Sequence, residues 1–239
     1  MVEAPGVSAR ALSDAGFRHL DIVDLNESII GLADRYFQNV NHGVRQRPGV
    51  ETHITDGRNF LLVEPRAYDV ISIEITSIWF AGAASLYNVE FYDLVKTRLK
   101  PSGVLQQWVQ LHQIRGTDLL TILGSARARF PFVSLYYVGT HGVLIASEAP
   151  SEPRPESFTA FDQHPPSAAM LALYGGDAAS LAATGYPLSC IHILTPGTER
   201  ARDLSVAEAF VALIEHCRDD SILPPGLRAR QFEELARLV

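Results

Sequence analysis

The sequence is poor in the residue types that would tie it to a disulfide scaffold, a metal cage or a membrane. Its 239 residues include two cysteines, Cys190 and Cys217, and no more than two methionines and two tryptophans. Two cysteines cannot build a disulfide framework and match no metal-ligand spacing, so they read as ordinary thiols of a reducing compartment. The eight histidines contain no pair at H-x-x-x-H spacing, and no metal is expected. No apolar run reaches the ~20 residues of a membrane span, and the N-terminus lacks the basic-then-apolar pattern of an export signal. Lysine and arginine number 20 against 27 acidic residues, a net charge of −7. That balance excludes broad nucleic-acid binding, which needs a basic face. No serine or cysteine nucleophile motif occurs. What remains is a cytoplasmic domain of ordinary composition, 47% hydrophobic and 20% charged.

A further absence is more specific. The stretch DIVDLNESIIGLADRYF, residues 21–37, places Asp24 at the end of an apolar run and Asn26 before a helical pattern. In a nucleoside-binding α/β fold, an acid at that position holds ribose hydroxyls, and a glycine-rich loop normally lies one βα unit earlier. The residues before Asp24 contain no G-x-G.

The elements alternate. A short helix is expected before residue 18, then a strand over His19–Leu25 and a helix capped by Asn26, with Ile29, Ile30, Ala33, Tyr36 and Phe37 forming its apolar stripe. The turn-rich loop 39–49 leads to a strand over Val50–Thr55 that ends in Asp56-Gly57. Tyr68–Ile75 is a near-continuous apolar run of the kind that fills buried parallel strands. A helix over Val89–Leu99, the turn K-P-S-G, a strand over Val104–Leu111 and a helix over Thr117–Phe130 follow. Residues 132–147 read as an antiparallel hairpin around a tight Gly139–Gly142 turn. Strand-helix alternation closed by a hairpin indicates an α/β sheet with an antiparallel edge. Beyond a proline-rich connector (147–157), residues 149–239 read as a helical and irregular extension, with Ser205 and Glu208 as a capping box. The expected division is therefore 1–148 and 149–239.

Asp24, Asp56 and Glu74 all fall at strand C-termini, the edge where ligands bind in parallel sheets. Asp24 can accept from ribose hydroxyls. Asp56, followed by the permissive Gly57, can accept from an adenine amino group while a backbone N–H donates to a ring nitrogen. A carboxylate at Glu74 can take a proton from an amine or hold a cationic amine. Singly, such acids are usually helix caps. The segment 77–92 has the length of a lid, and Trp79, Phe80 and Tyr87 can wall an apolar pocket or simply pack loop to sheet. Trp108 and Gln106-Gln107 end the next strand and can reach the same crevice. His112 and His141 read as surface or capping residues.

Taken together, IVDLNESII, HITDGRNFL, YDVISIEITS, SLYNVEFYDLVKTRLKPSGVLQQW and FPFVSLYYVGTHGVLIAS resemble the spermidine synthase (polyamine aminopropyltransferase) family, in its order and spacing over residues 15–148. The wording is closest to a divergent bacterial branch. The resemblance implies a class I methyltransferase-like (Rossmann-like) sheet with a C-terminal hairpin. It implies decarboxylated S-adenosylmethionine as aminopropyl donor and a polyamine as acceptor, with homo-oligomers possible. Asp24 falls on the family's ribose-binding glutamate, Asp56-Gly57 on its adenine-binding pair, and Glu74 on the aspartate that deprotonates the amine. Ser77 stands where the family has a second, amine-contacting aspartate, which weakens attraction for a diamine dication, and Trp108 replaces a glutamine. With Trp79 and Tyr87, these residues are the expected acceptor-site group. The family's first strand and glycine loop have no counterpart, so the chain is expected to be a C-terminal fragment. Two alternatives stand beside transfer of an aminopropyl group: methyl transfer from S-adenosylmethionine, and a non-catalytic nucleoside-binding or regulatory module.

Overall fold

The computed structural model describes residues 6–74, 82–111, 114–138, 141–150, 159–160, 162–172 and 189–194. They belong to two compact units, Met1–Pro65 with Glu152–Tyr186, and Arg66–Ser151 with Pro187–Val239.

The first unit contains α1 (Val7–Asp14), β1 (Leu20–Asp24), α2 (Glu27–Tyr36), α3 (Gln38–Asn41), β2 (Val50–Ile54) and α4 (Gly57–Val63). β1 and β2 pair in parallel, from Leu20 opposite Val50 to Asp24 opposite Ile54. Asn26 caps α2 as expected, its side chain accepting from the N–H groups of Ser28 and Ile29. One side of α2 buries Ile30 and Ala33, whereas Leu32 and Tyr36 remain exposed. α3 and α4 are additions to the expected elements. α4 is short, and Leu62 and Val63 at its end are exposed, so it offers no amphipathic repeat beyond Phe60 and Leu61.

Two guanidiniums tie this unit together. Arg10, 3% exposed, donates to the Val40 carbonyl at 2.8 Å and to Asp14 at 3.2 Å. Arg47 donates to Asp14 at 2.7 Å and to the Ser13 hydroxyl at 2.8 Å. Burial alone would raise the pKa of Asp14, but the hydrogen bonds and charges of Arg47 and Arg10 outweigh it and hold the carboxyl below 3.8.

The loop before β2 has one forced residue. Gly49 has φ +81°, and a Cβ there would stand 2.0 Å from the Arg18 carbonyl oxygen. Its own carbonyl accepts from the Leu20 N–H at 2.9 Å. This close approach starts the β1–β2 ladder.

The second unit holds β3 (Tyr68–Ile73), α5 (Val89–Arg98), β4 (Leu99–Gln110), α6 (Gly116–Arg127), β5 (Phe132–Val138), β6 (His141–Ser147) and β7 (Ser189–Leu194). Its sheet has the order β3-β4-β6-β5-β7. β3 and β4 are parallel and the other pairings antiparallel. The expected hairpin is β5–β6: Val138 pairs with His141, which leaves a two-residue connection. β7 and α7 (Pro165–Ala172) come from the segment read as helical and irregular. The β7 strand there corrects that reading. Most of that segment, including Ser205 and Glu208, lies outside the described residues.

The K-P-S-G turn is also corrected. β4 already begins at Leu99, and K-P-S-G lies inside it as an irregularity. Tyr68 pairs with Leu99 and Val70 with Val104, so a longer step on β4 faces a shorter one on β3. A Cβ on Gly103 would come within 2.8 Å of the Tyr68 carbonyl, which explains the glycine. The core of this unit is built from Phe91, Tyr92 and Val95 of α5, Leu119, Leu123 and Ala126 of α6, and Leu105, Val109, Val133, Leu135 and Leu144 of the sheet, with Phe130 among them.

Two outcomes follow. Gly49→Ala should lower stability by more than about 2 kcal/mol in thermal or urea unfolding, through a positive φ and a backbone collision. Because the folded pKa of Asp14 is depressed, its contribution is present above the unfolded carboxyl pKa and is lost as pH falls through the folded value. The melting temperature of the unaltered protein should therefore drop more steeply below about pH 4 than that of Asp14→Asn.

Candidate active site

Asp24 ends β1, and Asp56 follows β2 by two residues at the same end of the parallel pair. The Thr55 N–H donates to the Asp24 carbonyl at 3.0 Å and links the two strand exits. Each carboxylate already spends one oxygen on the backbone. Asp24 Oδ1 accepts from the Asn26 N–H at 2.7 Å. Asp56 is the N-cap of α4, its Oδ1 accepting from the Asn59 N–H at 2.8 Å. These bonds fix the orientation of both groups. Gly57 opens α4 and is exposed, so its N–H lies in the helix turn where backbone donors lack intrahelical acceptors. Asp56 thus caps a helix, whereas Asp24 orders the turn that leads to the Asn26 cap.

Glu74, Tyr87 and Trp108 belong to the second unit. β3 stops at Ile73, and Glu74 follows it as an exposed residue. Ser72 is opposite Gln106, and the Ser72 hydroxyl donates to the Gln106 side-chain oxygen. Side chains alternate along strands, so the next position on that row of β4 is Trp108. Glu74 thus follows the exit of β3, and Trp108 lies on the neighbouring β4, two residues before its end. Ser77 and Trp79, like Phe80 and His112, lie outside the described residues.

Tyr87 is 5% exposed, and its hydroxyl donates to the Trp108 carbonyl at 3.0 Å. Burial pushes its pKa well above the ordinary tyrosine value, so it acts as a neutral donor. Gln107 was expected to reach the crevice beside Trp108, and the structure corrects this. It is 0% exposed and points to the opposite face, where its Oε1 accepts from the Tyr92 hydroxyl at 2.9 Å and its Nε2 donates to the Leu86 carbonyl at 2.9 Å. Gln107 and Trp108 thereby hold Leu86 and Tyr87 against β4 from its two successive residues. Sequence reasoning did not find Tyr92 in this role, because a tyrosine on an amphipathic helix gives no sign of which buried amide it meets.

A second group was missed as well. Asp21 of β1 and Glu51 and His53 of β2 share a face of the parallel pair, with His53 Nε2 2.7 Å from Asp21 Oδ1. The E-x-H spacing at 51–53 is visible in the sequence, but the third member comes from another strand.

A parallel pair with acids at its strand exits, together with a mixed α/β sheet, places the protein among class I methyltransferase-like, Rossmann-like folds. Comparison with known proteins refines this. The spermine/spermidine synthase domain profile matches residues 7–141, more than half of the chain, and the protein belongs to that family. A polyamine aminopropyltransferase of Nitrosomonas europaea is 30% identical over 149 residues, which are 62% of this chain and 46% of that protein. Polyamine aminopropyltransferase 2 of Pseudomonas aeruginosa is 34% identical over 145 residues, 57% of this chain and 42% of that one. The chain thus spans less than half the length of these two relatives. Spermidine synthase of Thermotoga maritima shares the fold at a TM-score of 0.58 and 19% identity, over 66% of this chain and 57% of its own. A spermidine synthase in complex with the transition-state analogue AdoDATO does so at 0.60 and 19%, over 67% and 58%. Among the described residues, no helix is long and apolar enough to cross a membrane.

The buried amide yields a stability test. Tyr92→Phe strands the Gln107 Oε1 acceptor without its donor and should cost about 1–3 kcal/mol. Tyr36→Phe, at a position 61% exposed, should stay within about 0.5 kcal/mol of the unaltered protein in the same urea titration.

Proposed function

We propose that this chain belongs to an enzyme that transfers an aminopropyl group from decarboxylated S-adenosylmethionine to a polyamine or related amine. The observation that carries the reading is the conjunction of the family match over residues 7–141 with acids at the exits of β1, β2 and β3. In this reading the Asp24 carboxylate accepts from the ribose hydroxyls. Asp56 accepts from the adenine amino group while the Gly57 N–H donates to a ring nitrogen. The amine nitrogen attacks the aminopropyl carbon bonded to the sulfonium. A C–N bond forms, the C–S bond breaks, and its electron pair leaves on the sulfur of methylthioadenosine. Ahead of that attack, Glu74 takes a proton from the acceptor's ammonium group, which frees the nitrogen lone pair. A neutral amine is the nucleophile, so a carboxylate that holds the cation and then accepts its proton favours the step.

Trp108, beside the Glu74 strand exit, lines the path of the acceptor's methylene groups. Tyr87 supports it through the Trp108 carbonyl. Ser77 and Trp79 complete the acceptor-site group by sequence position. Residues 1–148 carry this chemistry, and 149–239 form an extension. We place the protein in the cytoplasm, with homo-oligomers as its assembled form.

The test uses the full-length protein, a panel of diamines and polyamines, and labelled donor. Glu74→Gln should reduce kcat by about 100-fold or more while calorimetric binding of methylthioadenosine is retained. Asp24→Asn should instead weaken that binding. Failure to transfer an aminopropyl group to any amine on the panel overturns the proposal, and methyl transfer from S-adenosylmethionine would replace it with the other chemistry of this fold.

A further inference from the structure

We propose that Asp21, Glu51 and His53 form a binding site for one divalent transition-metal ion of the Zn2+ or Mn2+ type, separate from the strand exits at Asp24 and Asp56. The parallel register assembles it. Asp21 is opposite Glu51, and Val23 is opposite His53. With a side-chain period of two, Asp21, Glu51 and His53 share one face, while Asp24 belongs to the other row.

The donor atoms converge. His53 Nε2 is 2.7 Å from Asp21 Oδ1 and 3.9 Å from Glu51 Oε2, and one donor atom from each residue lies within 4.8 Å of the others. Ligands at about 2.1 Å from a metal are at most about 4.2 Å apart. Capture therefore requires Glu51 to close inward and the His53–Asp21 contact to open slightly. Glu51 is free to make that movement, its side chain being 61% exposed. Asp21 provides the fixed wall at 5% exposed. The His53 ring leans on buried Phe60 with centroids 4.7 Å apart, which limits its rotation.

The chemistry suits a cation. Two carboxylates flank one imidazole nitrogen, and with His53 neutral the cluster carries excess negative charge. A metal bound at His53 Nε2 would leave the proton of the neutral imidazole on Nδ1. An N/O/O set matches Zn2+ or Mn2+ better than Cu+, which prefers sulfur, or Ca2+, which prefers oxygen alone. Three protein ligands leave coordination positions to water on the exposed Glu51 side. The sequence hides this site because histidine pairs at helical spacing are the usual guide, and here a strand i, i+2 pair is completed across a ladder.

The experiment is calorimetric titration of the whole protein with Zn2+ alone, paired with Mn2+ titration followed by electron paramagnetic resonance. One ion per chain is expected, with affinity at least about 10-fold weaker in His53→Ala and in Glu51→Gln, and unchanged in His42→Ala. Glu51 is exposed, so Glu51→Gln folds even where loss of buried Asp21 would not. Co2+ substitution should give a visible d–d spectrum that His53→Ala abolishes. Absence of stoichiometric binding overturns the proposal, as does binding that His53→Ala and Glu51→Gln leave unchanged. Neither result bears on aminopropyl transfer, which Glu74→Gln tests separately.

Discussion

The approach of Gly49 to the Arg18 carbonyl governs the first unit. It lets the Leu20 N–H reach the Gly49 carbonyl and so sets the register of β1 against β2. A one-residue slip would exchange the faces of every side chain on the strand. Asp24 would then no longer leave the ladder beside Thr55 and Asp56, and Asp21 would no longer face His53. Arg10 and Arg47 guard the same register from outside, since both bind Asp14 of α1 while Arg47 lies just before β2. An ordinary backbone requirement thus determines where the acidic groups stand.

Much of this architecture was legible because it rests on local rules. Asn26 before an apolar stripe announces a cap, and it caps. The alternation of strands and helices announces an α/β sheet, and Val138 opposite His141 closes the expected hairpin. What was illegible depends on partners distant in sequence. Nothing in S-C-I-H-I-L says that it will pair with β5. K-P-S-G has the composition of a turn, and only the ladder with β3 absorbs it into a strand. α4 is too short to show a period. Gln106 and Gln107 look alike in sequence, yet pleating sends one to Ser72 and the other to Tyr92. The strand-exit acids were found as a pattern, but their backbone bonds to Asn26 and Asn59 were not, since those depend on the loop conformation after each strand.

β4 separates two demands by its pleat. On one face, Leu105, Gln107 and Val109 are fully buried, and the single amide among them is satisfied at both ends. On the other, Gln106 and Trp108 stay partly accessible beside Ser72. A buried amide that anchors Leu86 and Tyr92 is costly to alter, so the polar interior restricts where the Tyr87 segment can lie. Variation on the accessible face carries no such penalty. The strand keeps its scaffold constant while its accessible surface is free to change.

The sheet order β3-β4-β6-β5-β7 also dictates a timetable for the nascent chain. β4 finds its parallel partner already made, because β3 precedes it. β5 does not: both of its neighbours, β6 and β7, are synthesised after it. Its buried residues Val133, Ser134 and Leu135 have no strand beside them until β6 emerges, and its outer edge waits until residue 189 has left the ribosome. During that interval an apolar strand edge faces solvent, the state in which β-proteins are most exposed to wrong pairing. The tight hairpin shortens the first part of the wait, since a two-residue link brings β6 to β5 with almost no loop to close.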